Sequence, residues 1–110
     1  MPHITFKNVN TPMLEKFITE KTQLLAEVIE CPSDWITFYD TQATAYIDGK
    51  VNELTCFVKV EWFKRPDKTK DEVATIITEA LKGLGKEEVI VQFIEIQPTN
   101  YYENLERFLD

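Results

Sequence analysis

A chain of 110 residues with a net charge of −7 suits one domain that needs no metal or disulfide staples. A domain near this size buries roughly two-thirds of the surface its unfolded chain exposes. Its acidity disfavours a nucleic-acid surface, its two cysteines are too few for a disulfide framework, and its one histidine excludes a histidine-rich metal site.

The chain begins Met1-Pro2, and "HITFKN" alternates apolar and polar as a strand does, with Ile4 and Phe6 on one side and Thr5 and Lys7 on the other. Thr11 is the expected cap of a helix that opens on Pro12, where the missing N–H costs nothing. Leu14, Phe17, Ile18, Leu25 and Val28 recur along one face of that helix. Pro32 ends it, because its ring disfavours helix for the residue before it. Next, "WITFYDTQATAYI" reads as one long strand rich in aromatic and β-branched residues. Asp48-Gly49 is a hairpin turn, and "LTCFVKVEWF" is the next strand, with Leu54, Cys56, Val58, Val60 and Trp62 on one face. Thr69 and Glu72 have capping-box spacing ahead of a second helix, carried by Val73, Ile76, Ile77, Ala80 and Leu81 and stopped by Gly83 and Gly85. "EEVIVQFIEIQP" is a fourth strand, and "TNYYENLERFLD" is a polar-aromatic tail with one short helical turn.

The fold class is therefore α+β: two β-α-β units, residues 1–50 and 51–110, making one domain with a four-stranded sheet and two helices on one face. A helical crossover leaves the two strands of each unit parallel. A ferredoxin-like domain shares the element order but pairs its strands antiparallel, so the relation of the first two strands decides between the folds. On either arrangement the second sheet face is bare, and Trp35, Tyr39, Phe57, Phe63, Ile90, Ile94 and Ile96 are expected on it. An apolar face of that size asks for a partner, and a closed ring of copies is the simplest one. No apolar run approaches the ~20 residues that cross a bilayer, and no signal peptide is evident. The expectation is a cytoplasmic protein with no membrane or nucleic-acid partner, in which Cys31 and Cys56 are reduced packing residues.

The Met-Pro start on a doubled β-α-β unit resembles the tautomerase superfamily, which includes 4-oxalocrotonate tautomerase and macrophage migration inhibitory factor. "MPHITFKNV", "CPSDWITF" and "PTNYYENLERF" look like a small bacterial family of uncharacterised function within it, over nearly the whole chain. The resemblance implies a homotrimer, a pocket at the subunit boundary, and an N-terminal proline at its floor.

That implication gives Pro2 a chemistry. Methionine ahead of a small residue is commonly removed, which leaves a secondary amine. In an apolar pocket the charged amine is disfavoured, so its pKa falls from the usual ~8. The neutral nitrogen can then take a proton from carbon beside a carbonyl, or attack the carbonyl itself. No cofactor or metal is needed, and the substrate is a small carbonyl-containing molecule. As a structural feature alone, Pro2 is simply a well-tolerated first residue of a strand. The superfamily anchors its substrates with cations, yet this chain has Asn10 and Thr11 after the first strand, Ser33 after the first helix and Thr37 on the second strand. Arg65 is the cation recruited instead, by analogy between the halves, from a set that also holds Lys7 and Lys64. By resemblance to longer members, Asn100, Tyr101 and Tyr102 of the tail line the pocket, a tyrosine hydroxyl being able to donate to a carbonyl oxygen. They serve equally well as interface aromatics. His3 is adjacent to Pro2 but faces the other way, and Trp35 and Trp62 read as core or interface. Two functions follow: a keto–enol tautomerase based on Pro2, or a non-catalytic trimer of the same fold that binds a ligand or partner.

Overall fold

The computed structural model describes residues 1–108. Strand β1 (His3–Lys7) leads into helix α1 (Thr11–Ile29), a 3-10 turn (Ser33–Trp35) and β2 (Thr37–Asp40). A small hairpin, β3 (Tyr46–Ile47) with β4 (Lys50–Val51), separates this unit from β5 (Thr55–Trp62), α2 (Asp67–Gly83) and β6 (Glu88–Glu95). A second 3-10 turn (Pro98–Asn100) and a hairpin of β7 (Tyr102–Glu103) and β8 (Glu106–Arg107) follow.

The main sheet has the order β2–β1–β5–β6. Its outer pairs are parallel and its central pair, β1 with β5, is antiparallel. Because β1 and β2 are parallel neighbours, the fold is the doubled β-α-β unit and not the ferredoxin-like alternative. The alternation in β1 and β5 turns Ile4, Phe6, Cys56, Val58, Val60 and Trp62 toward the helices. There they meet Leu14, Phe17 and Leu25 of α1 and Val73, Ile77 and Leu81 of α2, all buried.

Several local expectations need correction. Asn10, not Thr11, caps α1: its Oδ1 accepts from the Met13 N–H at 2.9 Å. Thr11 is already helical, and its hydroxyl donates to Asp40 at 2.6 Å. Thr69 and Glu72 form no capping box, because α2 starts at Asp67 on the extended backbone of Pro66 and leaves Thr69 inside the helix. The long second strand is broken. Thr41 donates its hydroxyl to the Phe6 carbonyl at 2.7 Å, and Gln42 turns to φ 54°, so pairing with β1 stops at Asp40. The Asp48-Gly49 turn does form, with φ of 53° and 76°, but it closes a separate two-stranded arm. The tail holds its helical turn at Pro98–Asn100 and then an unexpected hairpin, bent at Asn104 and Leu105, whose φ values are 51° and 73°.

The bare face is more mixed than expected. Tyr39, Phe57, Ile90 and Ile94 lie on it, in register with Thr5, Lys7 and the Lys59–Glu61 pair. Trp35, Phe63 and Ile96 sit beyond the strand ends, where they line a cavity.

Candidate active site

The antiparallel pairing of β1 with β5 puts Glu61 opposite His3. The chain leaving β5, Phe63-Lys64-Arg65, therefore passes the start of β1. The parallel partner β6 ends on the same side, and the Ile96 N–H donates to the Trp62 carbonyl at 2.6 Å. The tail then folds back over this end. Between these segments lies a cavity of about 550 Å³. Met1, Trp35, Phe63, Ile96, Pro98 and Phe108 give it an apolar wall, and Lys64, Arg65, Glu95 and Gln97 supply its polar groups.

Pro2 is fully buried and is not itself among the residues lining the cavity, whereas Met1 before it is. Its carbonyl accepts the Thr37 N–H at 3.0 Å, which fixes it beside β2. The α-amine at the start of the chain is held below its ordinary value, first by burial and then by the Arg65 guanidinium; Cys31 and Glu103 pull the other way. Arg65 is half-buried, with its guanidinium 5.8 Å from the Trp62 ring centroid. Its Nη1 donates to the carbonyls of Phe63 and Lys64, at 3.1 and 3.2 Å. The hydrogen bonds described at Arg65 thus use one nitrogen and leave Nη2 and Nε for a ligand.

Of the other residues singled out in the sequence, Tyr101 stands behind the cavity wall. Its ring packs edge-on against Phe63 and Phe108, with centroids 5.2 and 5.1 Å away. Its hydroxyl meets His3 Nε2 at 2.8 Å, while His3 Nδ1 meets the Tyr39 hydroxyl at 2.9 Å. Burial pushes the Tyr101 phenol up and the His3 imidazole down. Asn100 is exposed in the second 3-10 turn, and Tyr102 is exposed on the tail hairpin under the Arg107 guanidinium. Neither lines the cavity. Trp62 is core, stacked on Phe93 at 5.1 Å, whereas Trp35 is cavity wall.

Sequence reasoning missed Glu95, Gln97, Pro98 and Phe108. The first three follow from the length of β6, but Phe108 is placed by a hairpin whose turn residues carry no strong signal. It also missed that Cys31, just past α1, is close enough to the amine and Arg65 for their charges to oppose the upward push of burial on its thiol. Among the described residues no group of three or more His, Cys, Asp or Glu side chains could hold a metal ion. No helix among them is long and apolar enough to cross a membrane.

Residues 1–107 match a family described as a domain of unknown function, DUF1904. The crystal structure of a DUF1904 domain from Sebaldella termitidis is 30% identical, with a TM-score of 0.91 over 98% of this chain and 100% of that one. A protein of unknown function from Vibrio cholerae is 28% identical, with a TM-score of 0.85 over 97% of this chain and 87% of its own. A macrophage migration inhibitory factor-like protein from Entamoeba histolytica superposes with a TM-score of 0.76 over 97% of this chain and 98% of its own. At 17% identity that last likeness shows the fold alone. No curated protein matches the chain.

Proposed function

The chain belongs to the DUF1904 family and carries the fold of macrophage migration inhibitory factor, and from that premise we propose that it is a keto–enol tautomerase whose base is the nitrogen of Pro2, freed by removal of Met1. A fold alone does not prescribe a chemistry. The observation that carries the reading is that Met1, bonded to the fully buried Pro2, lines a largely apolar cavity that also holds Arg65. Cleaving Met1 leaves a secondary amine one residue further in, and on this reading burial and Arg65, which lower the Met1 amine, act on it in the same direction.

A small 2-oxo acid enters with its hydrocarbon end against Trp35, Phe63 and Phe108 and its oxygens toward Arg65. The neutral Pro2 nitrogen takes a proton from the carbon beside the carbonyl. The electron pair of that C–H bond moves into the enolate, whose oxygen is stabilised by the Nη2 and Nε donors of Arg65. A proton returned to oxygen gives the enol, and the reverse sequence restores the ketone. A homotrimer and a cytoplasmic setting belong to the same reading. The first is supported by the exposed Ile90 and Ile94 of the bare face, the second by the two free cysteines.

Intact mass of the protein from its natural host tests the first condition: Met1 must be absent. Phenylpyruvate enolisation then tests the second. Pro2→Ala is expected to lose about 10²–10⁴-fold in kcat/KM, the range a positioned base supplies. Retained methionine, or equal rates for the two proteins, overturns the reading. A second function, ligand binding without turnover, holds if Met1 is retained, because the Pro2 nitrogen is then an amide with no basic lone pair. The same mass measurement decides between them.

A further inference from the structure

The tail from Pro98 to Phe108 supplies two walls of the cavity, Pro98 and Phe108, yet it is nearly self-contained. Its backbone bonds run from Asn100 to Gln97, from Tyr101 to Pro98, from Phe108 to Tyr101, and between β7 and β8. Among the described residues, one hydrogen bond ties it to the body of the domain beyond the adjoining Gln97: the Tyr101 hydroxyl on His3 Nε2, 2.8 Å and half-buried. The remaining attachment is apolar, the rings of Tyr101 and Phe108 against Phe63. His3 is itself oriented from the far side by the Tyr39 hydroxyl on Nδ1, so both ring nitrogens are used. Apolar contact holds the tail against the body but has little direction, whereas a hydrogen bond with both partners fixed sets a register. His3 is also the residue directly after Pro2.

We propose that His3 is a positioning residue: it latches the tail through Tyr101 and so sets where the Pro98 and Phe108 walls of the cavity stand. The latch is a property of the fold and holds whether or not Pro2 is a base. Its test therefore reads the tail and not turnover.

The experiment is hydrogen–deuterium exchange on the whole protein, following the amides of Asn100, Tyr101 and Phe108. Tyr101→Phe keeps both ring contacts and removes only the hydroxyl. His3→Asn keeps an amide near the place of Nδ1 and loses Nε2, whereas His3→Gln keeps a nitrogen near the place of Nε2. Tyr101→Phe and His3→Asn are expected to speed exchange in the tail about fivefold, the population change one such bond commands. Amides of β1 and β5 keep their wild-type rates, His3→Gln stays close to wild type, and the double variant His3→Asn with Tyr101→Phe is no faster than either alone. Equal tail exchange in wild type and Tyr101→Phe overturns the proposal, as does a His3→Gln tail as fast as that of His3→Asn. Should His3→Asn fail to fold, the Tyr101→Phe comparison decides alone.

Discussion

Arg65 lowers the Met1 amine through its charge, and in the proposed mechanism it also holds a bound oxygen through its donors; the two roles separate with pH. Burial and the guanidinium both disfavour a protonated amine. The protonated form is inactive as a base, so kcat/KM is expected to rise with pH through a pKa below the ordinary ~8 and to level above it. Arg65→Met keeps an unbranched apolar chain over Trp62 and removes the charge. The rising limb then moves to higher pH, because one of the two effects lowering the amine is gone. The plateau falls by about 10²-fold, the usual consequence of losing a donor to a developing oxyanion. A pH–rate profile checks both, and a limb that stays in place or moves to lower pH contradicts the assignment. Arg65, singled out by analogy between the halves, does line the cavity, because the antiparallel pairing of β1 with β5 brings the end of β5 beside the start of β1. Phe108 could not be singled out in this way, since its position depends on where the tail turns.

Glu30 ends α1 in the left-handed conformation, at φ 63°, and gives its N–H to the Ala26 carbonyl. Glycine takes that conformation without the Cβ penalty that Glu30 carries. Glu30→Gly is expected to raise the unfolding free energy by about 0.5–1 kcal/mol, read as a higher urea midpoint at unchanged slope; a lower midpoint would mean the Glu30 side chain contributes more than the strain costs. Elements with strict periodicity were the most legible: the alternation in β1 and β5 and the helical spacing in α2 name the buried residues, because burial on one face forces the pattern, except that Leu54 precedes β5 and is exposed. Where side chains capture the backbone, the reading failed. Thr41 ends β2 by bonding the Phe6 carbonyl, although Thr41 and Thr44 have good strand propensity. Asn8, at φ 64°, spends its amide on the carbonyls of Asn52 and Thr55, at 2.7 and 2.6 Å, contacts that join residues distant in sequence. The tail hairpin turns on Asn104-Leu105, and leucine at φ 73° gives no warning of a turn.

The domain keeps one sheet face covered and leaves the other open. Tyr39, Ile90 and Ile94 remain 43%, 44% and 37% exposed there, interleaved with Lys59, Glu61 and Gln92. Such a face suits a neighbour that brings both apolar and polar groups, as another copy would. The proposed trimer predicts a sedimenting mass three times the 12.9 kDa of the chain. Ile90→Lys, at the end of β6 remote from the cavity, is expected to shift that mass to the monomer while the circular dichroism of the domain is retained. A wild-type protein that sediments as a monomer removes the trimer from the reading. Met1 and Phe108 border the same hollow, and this has a practical consequence for anyone who assays the recombinant protein. A histidine tag fused upstream would acylate the nitrogen that the proposed chemistry requires, and a tag fused downstream would load the tail that walls the hollow. A screen run on either fusion would leave the proposed activity untested, so only a tagless, fully trimmed preparation can give a meaningful negative.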